Sequence, residues 1–279
     1  MRLPALLKTS RQVRAFVRWR NFSAAAAVGL ALSVSPGRSE SSVEVDTALI
    51  LAVDVSDSVD ETRYQLQMEG IARALEDQSV VNAITGGPQG GIVLSLVTWA
   101  DQAPMTLTWQ VIKSAEDGRR VAALVRAIPH QGGEYTCLAK MLKIAGEQYL
   151  ESIPGSASHT VIDVSGDGID NCADPDAVLA ARDALIGRGV TINGLPIIVK
   201  GENDIVGSGA YRAPGYGLKE LPEGAAAAPT TLDAWYRNFV IGGPTAFLHV
   251  SNGFEDFGRA FRQKFVTEIS AVERAPSGH

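Results

Sequence analysis

The segment Asp54-Val55-Ser56-Asp57-Ser58 offers a carboxylate and two hydroxyls at alternate positions, directly after an apolar run. These are hard oxygen donors, the kind that Mg²⁺ accepts in octahedral geometry while keeping several of its waters. A hydroxyl from a second loop, Thr136, and a carboxylate from a third, Asp167, each stand after suitable elements to complete such a shell. Glu134 is an alternative ligand in the second loop, and its extra charge would shift preference toward Ca²⁺ or Mn²⁺. The reading without metal is that the serines cap the next helix and both aspartates accept backbone N–H bonds. Asp57, Asp60 and Asp163 read as capping, solvated or supporting groups, Asp163 standing out as an acid inside a buried strand.

Other chemistry finds less support. His130, His159, His249 and His279 are scattered, and none stands at zinc-ligand spacing from a cysteine. No histidine is placed to serve Ser56 or Ser58 as a base. The glycines near Gly132 and Gly242 do not form a phosphate loop between a strand and a helix. A net charge of −6 leaves no cationic surplus to displace counterions, which excludes non-specific nucleic-acid binding. Cys137 and Cys172 fall in loops at one end of the expected sheet. They would pair in an oxidising compartment or remain buried thiols.

The elements that must position these groups alternate along the chain. Ala48 to Val53 is an unbroken apolar stretch, as expected of a central strand covered on both faces. Asp60 caps a helix carrying Tyr64, Met68, Ile71 and Leu75 on one face, and residues 86–91 form a glycine-rich connection. Strands are expected at Ile92 to Trp99, His159 to Val164, Val190 to Val199 and Ala246 to Val250, with Met105 to Val111 as an edge strand. Helices are expected after Ser114, after Thr136, from Pro175 to about Gly187, around Leu232 to Phe239, and at the end, where Phe254, Phe257, Phe261, Phe265 and Ile269 form a stripe. The alternation implies a doubly wound α/β domain, its central sheet mainly parallel, flanked by helices on both faces, with one antiparallel edge strand.

With those residues in place, the chain resembles von Willebrand factor A domains, whose metal-ion-dependent adhesion site is built from D-x-S-x-S, a threonine and an aspartate in that order. Gly166-Asp167-Gly168 matches the third segment of that pattern. Glu134 and Tyr135 depart from it by intervening between the glycine pair and Thr136. The resemblance runs from about Val45 to Ile269. Ile192-Asn193-Gly194-Leu195-Pro196 and Val240-Ile241-Gly242-Gly243-Pro244 look like local signatures of an exported bacterial group within that superfamily, a domain of unknown function. It implies Asp54, Ser56, Ser58, Thr136 and Asp167 as ligands of Mg²⁺, with Mn²⁺ or Ca²⁺ as alternatives. It also implies a protein partner that presents an Asp or Glu to the metal.

Residues 1–44 read as an export segment and polar linker, because Arg2, Lys8, Arg11, Arg14, Arg18 and Arg20 precede an apolar run from Phe22 to Val34. That run is shorter than the roughly 20 residues of an ordinary membrane span. An uncleaved N-terminal anchor is the alternative and would be the chain's only membrane contact. The domain is expected over 45–272, with a surface insertion near 200–229 and a flexible tail over 273–279. The expected role is adhesion-type protein binding in the periplasm or cell envelope, without catalytic residues. A metal-dependent hydrolase of phosphate esters and a structural domain without metal are the rivals.

Overall fold

The computed structural model describes residues 43–207, 211–213, 217–219 and 229–272. The expected export segment, parts of the 200–229 insertion and the 273–279 tail fall outside the described residues. No helix among the described residues is long and apolar enough to cross a membrane.

A strand without a polar face is stable only when both its faces are covered. Leu49, Leu51 and Val53 of β1 (Glu44–Asp54) enter one core, and Ile50 and Ala52 enter another on the opposite face. With β2 (Ile92–Trp99), β3 (Met105–Ile112), β4 (Ser156–Gly166) and β5 (Val190–Pro196), β1 builds one sheet in the order β3-β2-β1-β4-β5. Every neighbouring pair is parallel except β2 and β3. The expected α/β architecture and its antiparallel edge are both present.

The helices are α1 (Glu61–Glu76), α2 (Gln78–Gly86), α3 (Ala115–Arg126), α4 (Leu138–Ile144), α5 (Pro175–Ile186), α6 (Leu232–Trp235) and α7 (Phe257–Val272). Residues of α1, α2, α3 and α7 fill the first core, including Tyr64, Met68, Ile84, Val121, Phe257, Phe261 and Phe265. Residues of α4, α5 and α6 fill the second, including Met141, Val178 and Trp235. Local chemistry sets the starts: the side chains of Asp60, Ser114 and Asp174 accept the N–H groups of Arg63, Asp117 and Ala177. α4 and α6 each run on into a π-helical turn, Ala145–Tyr149 and Tyr236–Val240.

Three features differ from the sequence reading. α2 was not expected. Asp77 ends α1 and at once caps α2 by accepting from Ser79 N–H, so no glycine or proline separates the two helices. β5 stops at Pro196 instead of Val199, and the segment expected as a last strand, Ala246 to Val250, meets β5 only through the isolated bridge Gly194↔Leu248, with a second bridge, Ile197↔Ser251, just beyond both. Pro196 accepts from Ser251 N–H but has no N–H of its own to donate, which interrupts the ladder between those bridges. Asp163 does not support a metal loop. It pairs with Lys264 of α7, and Lys264 Nζ also lies 3.0 Å from Glu268 Oε2, all three side chains being buried.

Candidate metal centre

The three candidate loops meet at the C-terminal edge of the parallel strands, where open α/β sheets place their sites. Asp54 ends β1 fully buried, and its Oδ1 accepts the Ser56 N–H at 2.8 Å. That turn brings the Ser56 and Ser58 hydroxyls to 3.3 Å from each other, and Ser58 Oγ donates to Asp167 Oδ1 at 2.7 Å. The register Val53↔Ser165 sets Gly166 beside Asp54. A β-carbon on Gly166 would lie 2.7 Å from Asp54 Oδ2 and 2.8 Å from the Tyr236 hydroxyl, so glycine alone leaves room for both.

The second loop is locked to the other two by its backbone. Gly133 N–H donates to Val55 O at 3.0 Å, and Glu134 and Tyr135 N–H donate to the Asp101 carboxylate. Thr136 exchanges bonds with Asn171, its N–H donating to Asn171 Oδ1 and its carbonyl accepting from Asn171 N–H. Asp170 accepts from Ala139, Cys172 and Ala173 N–H. Thr136 is buried, and its hydroxyl would stand 3.5 Å from a β-carbon on Gly168, next to Asp167. Glu134 is exposed.

Cys137 and Cys172 are joined in a disulfide, their Cα atoms 5.1 Å apart and 35 residues apart in sequence. The bond therefore ties the Thr136 loop to the Asp167 loop. Closing a loop of this length stabilises a fold by roughly 2–4 kcal/mol. Reduction, or the Cys137→Ser/Cys172→Ser variant, is expected to lower the urea midpoint accordingly. An unchanged midpoint would show that the backbone bonds of Asp170 and Asn171 hold the loops unaided.

The electrostatics are those of two desolvated acids close together. Asp54 has its pKa pushed up to about 8, first by burial and second by the charge of Asp167, against hydrogen bonds from Ser56 and the Asp167 N–H. Asp167 is raised too, mainly by burial, while the Ser58 hydroxyl and the Arg63 charge oppose the rise. Asp54 Oδ2 and the Tyr236 hydroxyl are both buried without a well-formed hydrogen bond among the described residues. Burial and the two acid charges raise the Tyr236 hydroxyl far above its ordinary value. Two neighbouring buried carboxylates with three hydroxyls beside them fit a hard divalent ion. Among the described residues no three His, Cys, Asp or Glu side chains cluster as a conventional metal site, so a cation here would depend on the serine and threonine oxygens.

The geometry thus gathers Asp54, Ser56, Ser58, Thr136 and Asp167 in one corner. It adds Asp101, Asp170, Asn171 and Tyr236, which the sequence reading missed. Asp101 carried a usable signal, because it stands just past the C-terminal end of β2, as Asp54 ends β1 and Asp167 follows β4. Tyr236 carried none, since only the fold brings α6 and its π turn under Gly166.

Solved structures share this arrangement of elements. Proximal thread matrix protein 1 from the mussel byssus aligns at 13% identity over 82% of this chain and 48% of its own, with a TM-score of 0.55. Its form with a zinc-occupied MIDAS motif aligns at 14% identity over 82% and 49%, with a TM-score of 0.51. The pilus adhesin SpaC from Lactobacillus rhamnosus GG aligns at 13% identity over 81% and 30%, with a TM-score of 0.53. The chain spans about half the length of the mussel protein and less than a third of SpaC. At such identities the likeness shows the fold alone, an α/β domain with a mainly parallel sheet between helices. No curated protein matches the sequence. Residues 44–273 match the family described as Protein of unknown function (DUF1194), and the chain belongs to that family.

Proposed function

We propose that this domain is an exported protein-binding module that holds a divalent cation through Asp54, Ser56, Ser58, Thr136 and Asp167 and uses it to capture an acidic side chain of a partner protein. The observation that carries this reading is the buried pair Asp54 and Asp167, with Ser58 Oγ donating to Asp167 Oδ1, Ser56 N–H donating to Asp54 Oδ1, and Asp54 Oδ2 buried without a well-formed hydrogen bond among the described residues. Without a cation, two desolvated carboxylates repel each other. A divalent ion reverses the sign of that interaction. Two carboxylates and three neutral hydroxyls leave the loaded site without excess negative charge, so an incoming carboxylate can replace one of the ion's waters.

Mg²⁺ suits the donors best, with Mn²⁺ or Ca²⁺ as alternatives. Thr136 is preferred to Glu134 because it is buried beside Asp167, whereas Glu134 faces solvent. The zinc-occupied MIDAS motif of a structural neighbour supports metal binding, and the pilus adhesin among the neighbours supports the adhesion role. The basic and apolar N-terminus and the disulfide support export.

Calorimetric titration with Mn²⁺ or Mg²⁺ is expected to show one site that Asp167→Ala abolishes. A pull-down from envelope extract should then recover a protein that EDTA releases. Identical isotherms for wild type and variant would eliminate the metal, and a partner indifferent to EDTA would eliminate capture through it.

A further inference from the structure

One guanidinium stands at the rim of the candidate centre. Arg63, in the first turn of α1, donates through Nη1 to the Ser58 carbonyl at 2.8 Å, and the same nitrogen lies 3.9 Å from Asp167 Oδ2. Its position is fixed from below by the Phe254 ring, 5.0 Å from the guanidinium carbon. Its two terminal nitrogens are held by Glu202, Nη1 to Oε1 at 2.6 Å and Nη2 to Oε2 at 2.8 Å. The turn carrying Glu202 is itself anchored to the third loop, because Asn203 Nδ2 donates to the carbonyls of Asp167, at 2.6 Å, and Ile197, at 2.9 Å.

A carboxylate of this chain is thus already docked in a fork of donors beside the metal loops. A carboxylate has two oxygens and a cation needs only one of them. The other would meet a donor at Arg63, whose planar fork suits carboxylates better than a lysine would. The Arg63 side chain is 25% exposed and that of Glu202 46% exposed. Ion pairs this open to solvent contribute little to stability, so Glu202 can be exchanged for another acid at small cost.

We propose that Arg63 is the second anchor for the partner's carboxylate and that Glu202 occupies this anchor until the partner displaces it. The inference rests on the metal reading above and adds to it. The site selects acids that can bridge the cation and the guanidinium, and the chain carries its own competitor. Glu202 is the partner of Arg63 and not a ligand of the metal.

The test uses the whole domain and a fluorescent peptide with a single central glutamate, its glutamine counterpart serving as the blank. Anisotropy is measured at saturating Mn²⁺, and the Mn²⁺ affinity of each variant is measured separately by calorimetry. Glu202→Gln is expected to tighten peptide binding about fivefold, because it frees the fork without adding a charge. Arg63→Gln is expected to loosen it about tenfold while leaving Mn²⁺ binding no weaker, since the lost positive charge opposed the cation.

Equal peptide affinities for wild type and both variants would overturn the inference and leave the metal site standing. Weaker Mn²⁺ binding by Glu202→Gln would overturn it in another way, by making Glu202 a metal ligand. A peptide that no variant binds, although Mn²⁺ does bind, would remove carboxylate capture and this inference together. Failure of the wild type to take Mn²⁺ would remove the metal reading as well.

Discussion

Asp54→Asn is expected to raise the melting temperature of the metal-free protein and to abolish the further rise that Mn²⁺ gives the wild type. The two effects have opposite signs and one cause. In the folded state the Asp54 pKa is raised from 3.8 to about 8, by burial first and by Asp167 second. A raised carboxyl favours the native state while protonated. Its contribution is therefore fully present below about pH 3.8 and is lost as pH rises to about 8. A tenfold change in proton affinity corresponds to about 1.4 kcal/mol, so relief of the penalty at pH 7 is worth several kcal/mol. In a domain of this size that is roughly 2–4 °C for each kcal/mol. Asparagine keeps the oxygen that accepts the Ser56 N–H and replaces the unpartnered Oδ2 with a neutral group. The wild type should recover about 2.7 kcal/mol when Mn²⁺ stands at a hundred times its dissociation constant, and the variant nothing. Thermal melts from pH 5 to 8, in EDTA and in Mn²⁺, read both effects. A metal-free variant that melts below the wild type at pH 7 would show that Asp54 is held ionised by groups other than a cation.

The same electrostatics explain how much of the centre was legible in the chain alone. Asp54 and Asp167 are visible because buried parallel strands are nearly unbroken apolar runs, and an acid at the end of such a run has few structural reasons to be there. Ser56 and Ser58 follow from their two-residue spacing. Thr136 was legible from its place before a helix start, and the family resemblance added the reason to prefer it, since no strand precedes it. Arg63 and Glu202 were not legible at all. On the sequence, Arg63 is an ordinary polar position near a helix start, and Glu202 lies in a stretch without periodicity. Their pairing depends on where the 139-residue separation between them is folded back.

The fold shows the same division. Strand runs and helix caps are local and were read nearly in place. What escaped was set by single residues acting on two elements at once: Asp77, which ends one helix and starts the next, and Pro196, whose missing N–H interrupts the ladder with the following segment. The ion network of α7 escaped for a different reason. The helix's phenylalanine stripe marks one buried face correctly, but Lys264 and Glu268, four residues apart, look like a surface pair. Both are buried. Only the acid at Asp163, in the middle of a covered strand, hinted that a cation must come to meet it.

Lys264→Met is accordingly the substitution expected to destabilise the domain most, by about 3–5 kcal/mol, the cost of leaving a buried charge without its partner. Two acids are abandoned at once, Asp163 of β4 and Glu268 of α7. The wild type already carries part of this strain. Glu268 is raised from 4.5 to about 7, burial being the largest cause and Lys264 the main opposing one. Because the folded value is the higher one, the contribution of Glu268 to stability is present below about pH 4.5 and declines as pH rises to about 7. Lys264→Met should steepen the decline, because the counter-charge is gone, and Glu268→Gln should flatten it. If the network specifies how α7 sits on the sheet more than it stabilises the fold, Lys264→Met/Asp163→Asn/Glu268→Gln should recover most of the loss, since a buried ion network replaced as a whole is often neutral or better. Urea unfolding from pH 5 to 8 measures all of these. A Lys264→Met loss below about 1 kcal/mol would mean that water reaches the charges, so that α7 leaves the sheet far more easily than its buried phenylalanines imply.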